Sequence, residues 1–220
     1  DSEPCTKGIC TMEPLEMQGS HEDVIKSIYK SIKALPKDKA IAALGGEHSI
    51  TEPIVKALKE NHPKLSVLHL DAHADMYDEY DGTRHSHACV MRRVREICPA
   101  ISVGVRSLAK EHMQLIRESV FLAKNVQDSK DWTDKAIDKL AQDVYITIDL
   151  DVFDPSIMSA VGNPEPGGLD WYTVIRFLKK VCEKRNVVGF DIVELNPNDN
   201  HSCTFLAAKL LYKIIGYIKK

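Results

Sequence analysis

The chain has 220 residues, and 29 Lys plus Arg stand against 32 Asp plus Glu, which gives a formal net charge of −3. This length fits one compact α/β domain, and 44% hydrophobic residues is typical of a folded globular protein. A weak negative charge gives no electrostatic basis for general nucleic-acid binding. No stretch approaches the roughly 18 uninterrupted apolar residues of a membrane span. We therefore expect neither a nucleic-acid partner nor a membrane partner.

The start of the chain, DSEPCTKGIC, has no apolar run and no initiator methionine. We therefore do not expect it to be a signal peptide. We expect residues 1–220 to form a single domain that lacks an N-terminal segment. Cysteines are widely spread with no C-x-x-C pair, which favours reduced thiols and a cytoplasmic protein. The six cysteines are Cys5, Cys10, Cys89, Cys98, Cys182 and Cys203.

Short apolar runs alternate with longer amphipathic runs along the chain. The short runs, rich in branched residues, predict strands at Lys39–Leu44, Leu65–Leu70, Ala100–Val105, Val144–Leu150 and Val187–Ile192. The amphipathic runs predict helices at Ser20–Leu35, Thr51–Lys59, Ala88–Cys98, Asp131–Ala141, Asp170–Lys184 and Cys203–Ile218. This alternation predicts a doubly wound, mostly parallel sheet with helices on both faces. Ligands of such sheets bind beyond the carboxyl ends of the strands.

Possible metal ligands follow the first two predicted strands. The first strand is followed by GGEHS, whose two glycines permit a tight turn and place His48 just beyond the strand. The second strand runs into DAHAD. If strand geometry continues there, Asp71, His73 and Asp75 share one face.

A second cluster of carboxylates follows the fourth predicted strand, which ends in DLDVFDP and places Asp149 and Asp151 on one face. Ionised carboxylates that lie this close repel one another unless a multivalent cation joins them. Oxygen and nitrogen donors without a thiolate suit manganese, with iron, cobalt or nickel as alternatives. Six donors are too many for one tetrahedral ion and suit two ions about 3.5–4 Å apart. The sequence thus predicts a binuclear hydrolytic site of His48, Asp71, His73, Asp75, Asp149 and Asp151.

Four motifs, GGEHS, DAHAD, DLDVFDP and DIVELNP, resemble those of the ureohydrolase family in their residues and their order. The family includes arginase, agmatinase, guanidinobutyrase and formimidoylglutamase, and the resemblance runs from about His48 to Asn196. It implies an arginase-like three-layer sandwich, two Mn²⁺ ions and a homo-trimer or homo-hexamer. It also implies two overlapping ligand sets, with Asp71 and Asp149 bridging: His48, Asp71, Asp75 and Asp149 for one ion, and Asp71, His73, Asp149 and Asp151 for the other.

The same resemblance implies three catalytic residues. His87 matches the catalytic histidine of the family, and Glu194 of DIVELNP matches the glutamate beside the guanidinium. Asp151, or another carboxylate that holds metal, is expected to relay a proton first. His85 lies two residues from His87 and remains the alternative proton shuttle, although we expect it at the surface.

The segment after DAHAD, MYDEYDGTRHSHACVMRR, resembles the agmatinase pattern. The favoured substrate is therefore agmatine, hydrolysed to putrescine and urea as in polyamine biosynthesis. Two departures from that pattern are Glu47, where aspartate is more usual, and Ala88, where glycine is common.

The acidic residues of this segment have two interpretations. They form either a solvated loop or a receptor for the substrate's ammonium: Asp78, Glu79 and Asp81. Arg84, if it points inward, would instead receive a carboxylate and favour guanidinobutyrate or arginine.

Other functions remain open. One alternative is another ureohydrolase: a guanidinobutyrase, an arginase or a formimidoylglutamase. A related amidine or amide hydrolase with one zinc, and a non-catalytic α/β module that binds magnesium, are further alternatives. Urea release from a panel of guanidino substrates separates these functions. Histidines without a visible partner in the sequence are expected at the surface: His21, His62, His112 and His201.

Overall fold

A computed structural model of the chain describes residues 8–129, 131–197 and 201–218. Its strands form one six-stranded sheet in which every neighbouring pair is parallel. The strands are β1 (Ile41–Leu44), β2 (Ser66–Leu70), β3 (Ala100–Val105), β4 (Val120–Leu122), β5 (Asp143–Asp149) and β6 (Asn186–Val193). Their order across the sheet is β1-β6-β5-β2-β3-β4, so β5 and β6 fill the space between β1 and β2.

Helices cover both faces of this sheet, which confirms the predicted fold class. They are α1 (His21–Lys33), α2 (Thr51–Lys59), α3 (Val90–Ile97), α4 (Lys110–Ile116), α5 (Ala123–Asp128), α6 (Trp132–Asp138), α7 (Trp171–Lys184) and α8 (His201–Tyr217). The five predicted strands and six predicted helices are present with small shifts of their ends. The sequence analysis missed β4, α4 and α5, which span only three to seven residues.

Two apolar cores sandwich the sheet. One contains side chains of α1, α2 and α3, and the other contains side chains of α5, α6, α7 and α8. Every residue of β2 and β3 is buried, as expected for parallel strands covered on both faces. The carboxyl ends of β6, β5 and β2 are adjacent in the middle of the sheet. The predicted ligands lie at the ends of β1, β2 and β5, and Glu194 follows β6.

Among the described residues, no helix is long and apolar enough to cross a membrane. The described cysteines are all free thiols: Cys10, Cys89, Cys98, Cys182 and Cys203. Cys5 lies outside the described residues. His62 is not the free surface residue that we expected, because its Nδ1 lies 3.0 Å from Oδ2 of Asp143.

Candidate metal centre and active site

His48 lies in a short 3₁₀ turn between β1 and α2. The chain reaches this turn through Gly45, where a Cβ would lie 2.3 Å from Cδ1 of Ile50, so a larger residue would force the Ile50 side chain to move. The imidazole of His48 is fully buried. Its Nδ1 faces carboxylate oxygens of three residues at 3.3, 3.3 and 3.4 Å: Asp71, Asp75 and Asp149. This Nδ1 is nevertheless a buried polar atom without a hydrogen-bond partner.

A second group of donors adjoins the first. Nδ1 of His73 lies 2.8 Å from Oδ2 of Asp151 and 3.5 Å from Oδ1 of Asp71. The other oxygen of Asp151 accepts the backbone N–H of Ala72 at 2.9 Å. Asp71 therefore contacts both groups, as a bridging ligand would. Asp149 lies with the first group, and its Oδ1 accepts the backbone N–H of Asp151 at 2.8 Å.

The DAHAD segment reaches this arrangement by a different route from the expected one. Strand β2 ends at Leu70, so the continued strand geometry that would place Asp71, His73 and Asp75 on one face is not present. Asp75 instead adopts a left-handed conformation with φ of 51°. Such a conformation is uncommon for a non-glycine residue and concentrates at functional sites. The turn brings its carboxylate to His48.

The electrostatic environment of these buried carboxylates and histidines strongly favours the binding of positive charge. Burial and the neighbouring charge of Asp71 raise the pKa of Asp75 to about 6, and the same two causes raise the pKa of Asp149 well above its usual value. Burial disfavours protonation of His73, but hydrogen bonds to Asp151 and Asp71 outweigh it and raise the pKa of His73 to about 11. Divalent cations would remove the repulsion that drives these shifts.

The residues present fit a pair of divalent cations. A buried imidazole nitrogen without a partner faces three carboxylates, and a second imidazole adjoins them through Asp71. The donors are oxygen and nitrogen atoms without a thiolate, a set that suits manganese and related ions.

His69 holds Asp71 in place. Its Nε2 lies 2.8 Å from Oδ2 of Asp71, and its Nδ1 lies 3.0 Å from the hydroxyl of Ser102. His69 lies inside β2, so it is a buried strand residue that supports a candidate ligand. Its Nε2 is also close enough to the first group to be a potential ligand.

Glu194 follows β6 directly and adopts a left-handed conformation with φ of 65°. Its Oε1 accepts the backbone N–H of His48 at 2.7 Å, and its own N–H donates to the carbonyl of Gly46. A Cβ on Gly162 would lie 4.0 Å from the other oxygen, Oε2. Burial raises the pKa of Glu194. The backbone thus holds this carboxylate beside the metal ligands.

His87 lies at the start of the 3₁₀ turn before α3, with its Nδ1 at 3.1 Å from Oε1 of Glu47. This hydrogen bond raises the pKa of His87. The ring also packs edge-on against Tyr80. The sequence analysis noted Glu47 only as a departure from the family pattern and missed this contact. His85, the alternative shuttle, instead contacts Glu52 at 2.9 Å and does not line the pocket described next.

A pocket of about 410 Å³ opens onto the cluster. Its lining includes four candidate ligands (His73, Asp75, Asp149 and Asp151), His87 and Glu194, together with the aromatic rings of Tyr77, Tyr80 and His112. Tyr77 lies 5.8 Å from Tyr80 and 4.7 Å from His112 between ring centroids. His112 is buried, so the expectation that it is a surface residue is wrong. No lysine or arginine is among the described residues that line this pocket.

The acidic loop does not present its first carboxylate to this pocket. Asp78 accepts hydrogen bonds from Arg84, at 3.1 Å, and from Arg93. Arg84 also lies 3.8 Å from Glu96. Arg84 is thus engaged by acidic partners and does not line the pocket.

Comparisons with known proteins agree with this geometry. The family model for the arginase family matches residues 4–216. The chain therefore belongs to the arginase family. It is 38% identical to the N(1)-aminopropylagmatine ureohydrolase of Synechocystis sp., covering 97% of this chain and 74% of that protein. It is also 38% identical to the agmatinase of Pyrococcus horikoshii, covering 90% of this chain and 70% of that protein.

Among solved structures, the chain is similar to the agmatine ureohydrolase of Thermoplasma volcanium. The TM-score is 0.82 at 36% identity, with 92% of this chain and 71% of that chain covered. The fold and the ureohydrolase class of these relatives confirm the family resemblance that the four motifs predicted.

Proposed function

We propose that this chain is a manganese-dependent ureohydrolase that acts on a guanidino cation with a second, distal ammonium, agmatine above all. The observation that carries the proposal is the buried Nδ1 of His48, which faces three carboxylates beside Glu194. The proposed ligand sets are those implied by the resemblance: His48, Asp71, Asp75 and Asp149 for one ion, and Asp71, His73, Asp149 and Asp151 for the other.

Two bound cations would lower the pKa of a water molecule and so supply a nucleophile strong enough for a guanidinium carbon. Side chains of the protein itself bind the substrate and transfer the proton. Glu194 binds the protonated guanidinium through a charge-assisted hydrogen bond and orients it toward the cluster. His87, which Glu47 helps to keep protonated, delivers a proton to the departing amine. Asp151 is the proposed intermediate carrier of that proton.

The pocket favours a substrate without a carboxylate. Its described lining offers no lysine or arginine to an α-carboxylate, and Arg84 is engaged by Asp78 and Glu96. The faces of Tyr77 and Tyr80 instead suit an alkylammonium, since cations bind favourably over aromatic rings. The relatives carry the names agmatinase and N(1)-aminopropylagmatine ureohydrolase, and both substrates are carboxylate-free cations of this kind.

Urea release tests the proposal. Purified, Mn²⁺-loaded protein is assayed with agmatine, N1-aminopropylagmatine, arginine and guanidinobutyrate. We expect kcat/KM for the better of the first two to exceed that for arginine by at least about 100-fold, because a buried unpaired charge costs on the order of 3–5 kcal/mol. Arginine turning over as fast as agmatine would refute the substrate class but not the ureohydrolase activity. No urea from any of the four, with Mn²⁺ bound, would refute the activity.

The remaining proposals concern domain organisation, location and assembly. We propose that residues 1–220 form one domain, supported by the single sheet, and that the protein is cytoplasmic, supported by the free thiols. The homo-trimeric or homo-hexameric state is a prediction from the family resemblance, which light scattering can test.

A further inference from the structure

A chain of buried polar side chains runs from His48 away from the pocket into the sheet. Nε2 of His48 lies 2.8 Å from the hydroxyl of Thr147, which lies 3.1 Å from the hydroxyl of Thr51. Thr51 donates at 2.8 Å to Oδ2 of Asp191. Tyr145 donates to the same oxygen, also at 2.8 Å. All five side chains have zero solvent exposure.

The pairing of β5 with β6 brings these side chains into contact. Thr147 on β5 pairs with Asp191 on β6, so their side chains are neighbours on one face of the sheet. Tyr145 is two residues before Thr147 and shares that face. Gly189 leaves room for the ring of Tyr145, since a Cβ there would lie 3.2 Å from a ring carbon.

When the carboxylate of Asp191 is ionised and only accepts, these three hydrogen bonds run in one direction. Oδ2 of Asp191 accepts from Thr51, so the single proton of Thr51 is used there. The single proton of Thr147 is then directed to Thr51, or to Asp191 itself, and in either case away from His48. The remaining contact, between Thr147 and Nε2 of His48, needs a proton on Nε2. A neutral imidazole with a proton on Nε2 has its lone pair on Nδ1.

We propose that Asp191, acting through Thr147, is a positioning residue that fixes the tautomer of His48 so that Nδ1 is presented to a metal ion. This inference rests on the proposed function, because it takes His48 to be a ligand. Hydrogen bonds from an outer residue to the far nitrogen of a ligating histidine are known to set its tautomer and orientation, and their loss typically costs 10–100-fold in metal affinity or activity.

Mn²⁺ affinity and stoichiometry, measured by competition with a chelator on the folded full chain, test this role without an activity assay. Thr147→Val removes the acceptor for Nε2 of His48, and we expect the affinity for one of the two ions to fall about 10–100-fold. Thr147→Ser keeps the hydroxyl and should restore the affinity. Asp191→Asn leaves one oxygen for the surrounding hydroxyls and places an amide donor among them, so we expect a loss similar to that of Thr147→Val.

Tyr145→Phe is the matched control. It also removes one buried hydroxyl that donates to Asp191, but this hydroxyl is not on the path to His48. We expect lower thermal stability with unchanged Mn²⁺ affinity. Unchanged affinity in both Thr147→Val and Asp191→Asn would overturn the inference. An equal loss in Tyr145→Phe would overturn it too, because the effect would then be general disruption around Asp191.

The outcome for the proposed function is separate. If the unaltered protein binds Mn²⁺ with the expected dependence on Thr147 but releases no urea, the proposed reaction fails and the positioning role stands. If the unaltered protein binds no Mn²⁺, zinc and cobalt are titrated in the same way, and failure to bind any of the three overturns both proposals.

Discussion

Replacing Glu194 by glutamine tests the proposed guanidinium contact with little change of shape. Oε1 of Glu194 accepts the backbone N–H of His48 at 2.7 Å, and the amide oxygen of glutamine can keep that bond. The change is therefore concentrated at Oε2, where an acceptor with negative charge becomes an N–H donor. That donor would face the N–H groups of a guanidinium.

The expected loss follows from the charge. Hydrogen bonds to charged groups contribute about 1.5–3 kcal/mol each, and leaving a buried charge without its partner costs about 3–5 kcal/mol. Since about 1.36 kcal/mol corresponds to a factor of ten in rate, kcat/KM for agmatine should fall by about 10²–10⁴-fold in Glu194→Gln. Both kcat and KM should change, because the contact orients the substrate as well as binding it.

Steady-state urea release on Mn²⁺-loaded protein measures the effect. Mn²⁺ content should be unchanged, because Glu194 is not among the proposed ligands. Glu52→Gln is a matched control, since Glu52 is a partly buried glutamate that contacts His85 and does not line the pocket. It should retain the kcat/KM of the unaltered protein. Full activity in Glu194→Gln would refute the assigned role of Glu194 in substrate binding.

Three further predictions concern the proton shuttle, the metal and a loop. The hydrogen bond from Glu47 raises the pKa of His87, so a reaction that needs protonated His87 slows as pH rises through that pKa. In Glu47→Gln this pKa should be lower, so the decline of kcat should begin at lower pH. Glu52→Gln is again the control. Mn²⁺ at 100 times its Kd should stabilise the fold by about 2.7 kcal/mol and raise Tm by about 5–11 °C in a calorimetric scan. Asp71→Ala should abolish this shift in Tm. An equal shift in that variant would contradict the bridging role of Asp71. Asp154 accepts three backbone N–H groups, from residues 156, 167 and 168, so Asp154→Ala should cost about 0.5–2 kcal/mol in urea unfolding, and no loss would refute its role as a turn former.

The fold was predictable because its long elements carry clear periodic patterns. Strands such as β2 and β5 are rich in branched and aromatic apolar residues, and α7 has an N-cap, Asp170, whose carboxylate accepts from two backbone N–H groups. Strand β4 could not be found in the same way. It lies at the sheet edge, is only partly buried and has three residues. Three residues are too few to show a periodic pattern of apolar and polar positions.

The candidate site was predictable as a group of residues that lie together, but not as a geometry. Candidate metal ligands are recognisable in the sequence as histidines and aspartates at strand ends, whereas the contacts that orient them join distant parts of the chain. Glu47 reaches His87 across 40 positions, and Thr147 reaches His48 across 99. Neither pair has a local signal. The turn at Asp75 was also hidden, because its left-handed conformation occurs at an aspartate and not at a glycine.

The proposed preference for a carboxylate-free substrate rests on how the arginines of one segment are paired. Residues 76–93 contain three arginines, any of which could in principle receive a carboxylate. Arg93 is buried and bound to Asp78 and Glu96, and Arg84 shares the same two partners. These contacts also neutralise the charge of Asp78, so neither of these two arginines nor this carboxylate faces the pocket. The aromatic side chains of the segment do line it. Asp78 and Glu96 therefore engage Arg84 and Arg93, and in the proposed function Tyr77 and Tyr80 are the side chains that would recognise the distal cation.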